Sequence, residues 1–188
     1  MTQISADTSD ANNASPDVAL TDVALLTHAL WPDVTPDPTR TADGFASFIV
    51  PAASIVAVLT FLRDQNGFSM LIDLTAVDWR NIEPRFQVVY HLFALDSNAT
   101  IRLKVPVSSD NLQLPTATGV FAGANWYERE VFDLFGLTFV GHPNLTRIEM
   151  PADWEGHPLR KDYPVTGPRR SSLPANQFRP TGRGDVAG

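Results

Sequence analysis

The chain has 188 residues, and 14 Lys and Arg against 21 Asp and Glu give it a formal net charge of −7. A chain of this size suits a single domain with appendages, and its negative charge argues against nonspecific nucleic-acid binding. It contains no cysteine, which excludes disulfides and cysteine-ligated iron–sulfur clusters within it. No run of about 18 apolar residues is present, so no segment is predicted to span a bilayer.

Periodic patterns in the first two thirds of the chain predict an α+β domain. Phe86, Val88 and Tyr90 alternate with their neighbours ahead of a turn signal at 96–98, which predicts an antiparallel hairpin with one buried face. The apolar stretch 68–77 is predicted as a central strand. The chain begins with a predicted disordered polar lead at 1–16, a helix at 17–31 and an edge strand at 34–40. Strands are predicted at 45–50 and 68–77, and between them a helix begins at Pro51 and ends at Gly67. Two further strands are predicted at 86–93 and 100–107.

A further helix is predicted after a loop at 108–116 and a short helical turn at 117–123. Its apolar face is formed by residues at helical spacing, namely Tyr127, Val131, Leu134 and Phe135. Asn125 is the predicted N-cap, and Gly136 is the predicted residue that ends the helix in a left-handed conformation. Together these elements predict a two-layer domain, residues 17–140, with a mixed sheet of about five strands and two packed helices, followed by this helix.

The predicted helix carries a cluster of charged residues. Glu128 and Glu130 are predicted to lie in its first turns, where negative charge complements the helix dipole. Arg129 and Asp133 are spaced i, i+4 and are predicted to form an ion pair.

The chain after Gly136 predicts an extended C-terminal segment, residues 141–188. Proline recurs at positions 143, 151, 158 and 164 and leaves no window for a stable helix. Large apolar residues are nevertheless spaced through this segment, as in a chain that lies along a surface and fills pockets. Its last residues form a basic tail, in which Arg169, Arg170, Arg179 and Arg183 outnumber Asp185.

Two blocks in this part of the chain resemble a known family. The first is Glu128-Arg129-Glu130, then Asp133-Leu134-Phe135, with His142 after it. The second is the run from Gly156 to Pro164, which includes His157, Arg160, Lys161, Asp162 and Tyr163. The blocks resemble the C subunit, of the 30-kilodalton type, of the type I NADH:quinone oxidoreductase, respiratory complex I. Weaker similarity extends back to about residue 45, and the family usually carries a basic or Pro residue where Thr146 stands, beside Arg147.

The resemblance implies a structural subunit with no catalytic residue, cofactor or metal of its own. In that complex, electrons pass from NADH through FMN and iron–sulfur centres in other subunits to quinone, coupled to proton translocation. The expected partners are the D subunit, the B subunit and other subunits of the peripheral arm. The expected location is the cytoplasmic side of the cell membrane, as a peripheral protein. The equivalent subunit of a membrane-bound hydrogenase or formate hydrogenlyase is an open alternative.

Two kinds of chemical site are weaker alternatives. His142 and His157, with Glu130 or Asp133, form a conceivable zinc set, but each histidine precedes a proline, and such pairs more often fix an extended turn. Glu130, Asp133 and His157 are a conceivable acid/base set of a stand-alone hydrolase. Charges near a helix start and an i, i+4 pair explain the carboxylates better.

The run from Gly156 to Pro164, called the strip below, is predicted to contact a partner. It is too apolar for a loose tail, too rich in proline for a helix and too charged for the core of this domain. We therefore expect Arg160, Lys161 and Tyr163 to dock on another subunit rather than on this domain. On that hypothesis the strip contributes little to folding of the isolated chain.

Overall fold

A computed structural model describes residues 29–38 and 43–165 of the chain. A five-stranded sheet in the order β1-β2-β5-β4-β3 forms its centre. The strands are β1 Thr35–Pro36, β2 Ala46–Ile49, β3 Met70–Asp78, β4 Phe86–Ala94 and β5 Ala99–Val107. The pair β2–β5 is parallel and the other neighbouring pairs are antiparallel, so the predicted mixed α+β sheet is confirmed.

The hairpin β4–β5 supplies the inner face of the sheet. Phe86, Val88, Tyr90 and Leu92 are each at most 1% exposed, and they pair with Val107, Val105, Leu103 and Ile101 of β5. This confirms the predicted hairpin and its register, because a slip of one residue would turn these side chains outwards.

Two helices cover the inner face of the sheet. Helix α1, Ile55–Gln65, follows a short 3₁₀ turn and buries Ile55, Val58, Leu59 and Leu62. Helix α2, Ala124–Phe135, buries Val131 and Phe135 in the same core cluster. The predicted helix after Pro51 and its end at Gly67, where φ is +73°, are both confirmed.

A small second sheet was not predicted. Strand β6, Gln113–Pro115, precedes α2 in the chain, strand β7, Thr138–Val140, follows it, and the two pair in parallel. The prediction of a plain loop at 108–116 is therefore wrong in part. A strand of three residues that ends in proline is too short to show an alternating pattern, so only its partner β7 reveals it.

Strand β3 lies at an edge of the sheet, so its predicted central position is wrong. Its first half exposes Met70 and Ile72 by 48% and 46%. The run of apolar residues in this stretch therefore belongs to an edge strand with partly exposed side chains and not to a strand buried on both faces.

Several predictions fall outside the described residues, among them the polar lead and the basic tail. The helix predicted at 17–31 is described only from residue 29, and residues 29 and 30 are helical. The edge strand predicted at 34–40 is confirmed over Thr35–Pro36, which form β1 and pair with β2 at the end of the described sheet. Within the described ranges, no helix is long and apolar enough to cross a membrane.

Candidate functional site: helix α2 and the segment that closes over it

Asp133, near the C-terminal end of α2, is a fully buried carboxylate. Its Oδ2 accepts the amide hydrogens of Ile148, Glu149 and Met150 at 2.8 to 2.9 Å. Its Oδ1 accepts a hydrogen bond from the Arg147 guanidinium at 2.5 Å. Burial alone would raise the pKa of Asp133, but the three amides and the guanidinium outweigh burial, and the pKa is lowered. Asp133 thus holds the chain after α2 against the helix.

Glu128, five residues earlier, is equally buried but has different partners. Its carboxyl oxygens accept hydrogen bonds from the Ala117 amide at 2.6 Å and the Thr116 hydroxyl at 2.5 Å. Both donors are neutral, and burial raises the pKa of Glu128 to about 7 against their opposing effect. Glu128 joins α2 to the chain that leaves β6.

Arg129 does not pair with Asp133, so the predicted i, i+4 ion pair is wrong. Its guanidinium donates to the backbone carbonyls of Thr146 and Arg147 at 3.0 and 3.1 Å. It also lies over the ring of Trp126, with 5.2 Å between the Cζ atom and the ring centroid. Arg147 pairs with Asp133 in its place, so the chain after α2 supplies the cation.

The helix begins earlier than predicted, which changes the roles of its acidic residues. The N-cap is Gly123, and Asn125 lies in the first turn, so Asn125 is not the cap. No acidic residue lies in that turn, and the predicted dipole role of Glu128 and Glu130 is therefore wrong. Glu130 is half-buried, and burial and the nearby carboxylates of Glu149 and Asp73 raise its pKa.

The two histidines of the resemblance fix the backbone at opposite ends of α2. His142 donates from Nε2 to the carbonyl oxygen of Asn125 at 3.2 Å and accepts the Asn144 amide at Nδ1. His157 donates from Nδ1 to the carbonyl oxygen of Asp133 at 2.8 Å. Among the described residues, no group of three His, Cys, Asp or Glu side chains could hold a metal ion. The structure does not assemble the zinc set considered from the sequence.

The acid/base set considered for a hydrolase is not assembled either. His157 contacts the backbone carbonyl of Asp133 and not its carboxylate, whose oxygens already accept four donors. The charged groups that affect the pKa of Glu130 are the carboxylates of Glu149 and Asp73, and both raise it.

The strip packs against this domain. The Leu159 amide donates to the carbonyl oxygen of Leu134 at 3.0 Å. Arg160 donates from Nε to the carbonyl oxygen of Phe135 at 2.5 Å, and its guanidinium lies 5.4 Å from the ring centroid of Phe86. These contacts place a cation at the C-terminal end of α2, where the helix dipole favours it.

The next part of the strip contacts the junction of β3 and β4. The Lys161 amide donates to Asp78 Oδ2 at 2.8 Å, and Asp162 pairs with Arg85 at 2.8 Å. Tyr163 contacts the residue before the strip, because its hydroxyl donates to the Glu155 carbonyl.

Two glycines make room for these contacts. Gly136, at φ +75°, ends α2 as predicted, and a Cβ there would lie 2.5 Å from the ring of His157 and 2.6 Å from Arg160. Gly156, at φ +81°, faces the Tyr163 ring, which a Cβ would approach to 2.7 Å. A side chain at either position would therefore be strained by φ and would push the strip away.

These contacts correct the prediction for the strip. Arg160 bonds to the end of α2, so the expectation that it docks elsewhere rather than on this domain is wrong. Tyr163 bonds within the C-terminal segment, and its contact with a partner remains a prediction. The side chain of Lys161 is exposed, and its contact with a partner remains a prediction. Spacing alone could not find the receiving groups, because they are backbone carbonyls distant in sequence.

The pair Asp78–Arg85 was also missed from the sequence. Arg85 donates from two nitrogens to the buried carboxylate of Asp78, at 2.8 and 2.9 Å. Hydrogen bonding to Arg85 holds the pKa of Asp78 far below its usual range, although burial opposes it. The positions of the two residues could have predicted the pair. Asp78 ends one strand and Arg85 precedes the next, and an antiparallel pairing of the two strands brings these ends together.

The fold and the site define a class of protein: an α+β domain whose charged motif residues bind its own C-terminal segment. The profile of the family described as "Respiratory-chain NADH dehydrogenase, 30 Kd subunit" matches residues 48–169. The chain belongs to this family.

Two relatives illustrate the match. The chain is 45% identical over 127 residues to the C subunit of the NADH-quinone oxidoreductase of Geotalea uraniireducens, a match that covers 68% of this chain and 77% of that protein. It is 49% identical over 139 residues to the C/D subunit of the NADH-quinone oxidoreductase of Pseudomonas paraeruginosa. That match covers 70% of this chain but only 23% of the longer relative.

Two solved structures share the fold. A trypsin-resistant fragment of Nqo5 matches with a TM-score of 0.59 and 28% identity, over 68% of this chain and 99% of the fragment. A chain of an archaeal membrane-bound sulfane sulfur reductase, a respiratory membrane complex, matches with a TM-score of 0.65 and 27% identity. This match covers 77% of this chain and 85% of the other.

Proposed function

We propose that this chain is a non-redox structural subunit of the peripheral arm of a proton-translocating NADH:quinone oxidoreductase. The observation that carries the proposal is the 45% identity to a C subunit of which it covers 77%. In this role the chain contributes to an enzyme that moves electrons from NADH to quinone, while FMN and iron–sulfur clusters belong to other subunits.

The use of the motif residues supports a structural role. Asp133, Glu128, His142 and His157 each bond to backbone or side-chain groups of this chain. Groups engaged in this way hold the fold, and we propose that the chain has no catalytic residue of its own. We expect purified protein to show no visible absorbance and no stoichiometric iron. A stoichiometric chromophore would contradict this role.

The proposed partners are the D subunit, the B subunit and other subunits of the peripheral arm. Relatives named as C/D subunits support the pairing with the D subunit, because fusion of two chains maintains a high local concentration of one for the other. As part of such an arm, the chain would be a peripheral protein on the cytoplasmic side of the cell membrane.

Deletion and complementation test the proposed function. We expect membranes from a strain that lacks this gene to lose NADH:quinone activity, and the wild-type gene to restore it. NADH oxidation by an artificial electron acceptor, measured on the same membranes, separates loss of the quinone reaction from loss of NADH oxidation itself. Full NADH:quinone activity in the deletion strain would overturn the proposal.

A second candidate is the equivalent subunit of a related membrane complex, such as a membrane-bound hydrogenase. The observation that favours it is the shared fold with a chain of the sulfane sulfur reductase. Purification of the tagged chain from solubilised membranes distinguishes the two. Co-purification of a flavin-containing, NADH-oxidising module supports the first candidate, and its absence together with a hydrogenase large subunit supports the second.

A further inference from the structure

A row of ionisable side chains crosses the sheet on the face opposite α1 and α2. Tyr90 is buried on the inner face, so His91, the next residue of β4, points to the other face. The strand register places Asp73 of β3 on one side of His91 and Arg102 of β5 on the other. Directly opposite residues on adjacent strands share a face and lie within reach of one another, so ionisable side chains from three strands meet here.

The contact between Arg102 and His91 defines the protonation state of the ring. Arg102 donates from Nε to His91 Nε2 at 2.7 Å. An arginine side chain has only donors and stays charged in proteins, so His91 Nε2 carries a lone pair and accepts this hydrogen bond. The ring is therefore neutral and carries its single proton on Nδ1. That nitrogen lies 3.6 Å from Asp73 Oδ2, just beyond hydrogen-bonding distance.

A second proton on the ring would change which neighbour attracts it. Both nitrogens of an imidazolium are donors, so Nε2–H would face the Nε–H of Arg102, and the two cations would repel each other. The Asp73 carboxylate would instead accept a charge-assisted hydrogen bond from Nδ1. The Asp73 side chain is 47% exposed, so it has room to approach the ring.

Three elements supply the groups that act on His91 in the folded chain. Burial lowers the pKa of His91 below its ordinary value of 6.5, and the positive charge of Arg102 lowers it further. The carboxylates of Asp73 on β3 and Asp43 ahead of β2 oppose this shift. The Phe45 ring, whose centroid lies 6.3 Å from that of His91, adds no charge. The neutral ring that accepts the Arg102 hydrogen bond is thus the form present at neutral pH.

We propose that His91 is a proton-operated switch between two cross-strand partners: the neutral ring binds Arg102 of β5, and the protonated ring leaves Arg102 and binds Asp73 of β3. Arg102 already pairs with Asp43 and keeps that ion pair in both states. The neutral ring ties β4 to β5 and, through Arg102, to the chain ahead of β2, whereas the protonated ring ties β4 to the edge strand β3. The switch is independent of the proposed function, because every group in it belongs to this chain.

Nitrogen NMR of the full chain, isotopically labelled at histidine, tests the switch. At about pH 8, where an unperturbed ring is also neutral, we expect the wild-type His91 ring to be the Nδ1-protonated tautomer. We expect it to gain its second proton with a midpoint below pH 6.5. His91→Gln removes one set of ring signals and so assigns them. An Nε2-protonated ring at the higher pH, or a midpoint at or above 6.5, would overturn the proposal.

Two variants test the two partners separately. Arg102→Met removes the repelling cation, so the proton affinity of His91 should rise about tenfold, which moves the midpoint up by about one pH unit. Asp73→Asn removes the charged acceptor of the protonated ring, so the proton affinity should fall about threefold or more. A midpoint that either variant leaves unchanged would contradict the exchange of partners.

Lys104→Met is the matched control. Lys104 is the next cation on the same face of β5, but its ammonium bonds to Asp37 at 2.6 Å, so the His91 midpoint should stay within about 0.3 units of the wild type. A shift equal to that of Arg102→Met would overturn the assigned role of Arg102. Circular dichroism checks each fold. If Arg102→Met unfolds, the wild-type tautomer and the Asp73→Asn midpoint decide, since neither requires the loss of Arg102.

Discussion

Glu128 and Asp133 lie on the same helix and are both fully buried, yet their pKa values move in opposite directions. Glu128 accepts two neutral donors, and burial prevails, so its pKa rises to about 7. Asp133 accepts three amides and a guanidinium, which outweigh burial and lower its pKa. The number and charge of the donors therefore decide the protonation state of a buried carboxyl, and depth alone does not.

The contrast also separates two structural tasks. The C-terminal end of α2 holds a charged carboxylate that gathers the following segment. The N-terminal half holds a carboxyl group whose pKa is about 7 and which joins α2 to the two residues after β6. Substitutions of Asp133, Glu128 and two residues of the strip test this difference between the two ends of α2.

Asp133→Ala should have the largest effect on folding. It leaves Arg147 and three amides without their buried acceptor, and removal of one partner of a buried pair costs about 3–5 kcal/mol. Urea unfolding of the isolated chain measures this loss. A cost below about 1 kcal/mol would show that the segment after α2 does not depend on Asp133.

Glu128→Gln should change the pH dependence of stability. A raised pKa means that the folded chain retains a proton which the unfolded chain, with an ordinary pKa of 4.5, releases. The stability associated with this group is thus fully present below about pH 4.5 and is lost as pH rises through 7.

The amide variant cannot ionise, so it should lack this loss, which is on the order of 2 kcal/mol between pH 5 and pH 8. Unfolding free energies of both proteins at the two pH values measure the difference. The contribution of Asp133 to the unfolding free energy changes with pH in the opposite direction. Because its pKa is lowered in the folded chain, this contribution is lost as pH falls. Equal pH slopes for the wild type and Glu128→Gln would show that Glu128 ionises freely in the folded chain.

Arg160→Ala and Lys161→Ala should differ in stability although they are neighbours. Arg160 bonds to the end of α2 and lies over Phe86, and its loss should cost about 1–2 kcal/mol. Lys161 contacts Asp78 through its backbone amide, and its side chain is exposed, so its substitution should stay within about 0.5 kcal/mol. Thermal unfolding of the two isolated variants measures these losses. Equal losses of unfolding free energy would show that the Arg160 side chain does not hold the strip against this domain.

Much of the fold could be predicted because it depends on local pattern. The alternation of Phe86, Val88 and Tyr90 predicted the hairpin and its buried face, which the structure confirms. Gly136 was predicted from its position after the helix, since few other residues adopt a positive φ. The edge position of β3 and the strand β6 could not be predicted, because both depend on which distant strand lies alongside.

The residues of the site were found, but their partners were not. Glu128, Asp133, His157 and Arg160 stand out in the sequence as charged groups in a specific motif. Their receiving groups are backbone amides and carbonyls, such as those of Met150 and Phe135. Every residue has such groups, so no side-chain pattern marks the ones that are used.

The class of fold, the core face of the hairpin and the identity of the motif residues could be predicted from the sequence. Hydrophobic periodicity and glycine positions are local properties, so they can be recognised in a short stretch of sequence. The packing of Arg160 against α2, the exposure of Lys161 and the opposite pKa shifts of Glu128 and Asp133 are visible in the three-dimensional structure alone. Those outcomes depend on burial and on donors brought from distant parts of the chain, which exist only after the segment beyond α2 has packed against the helix.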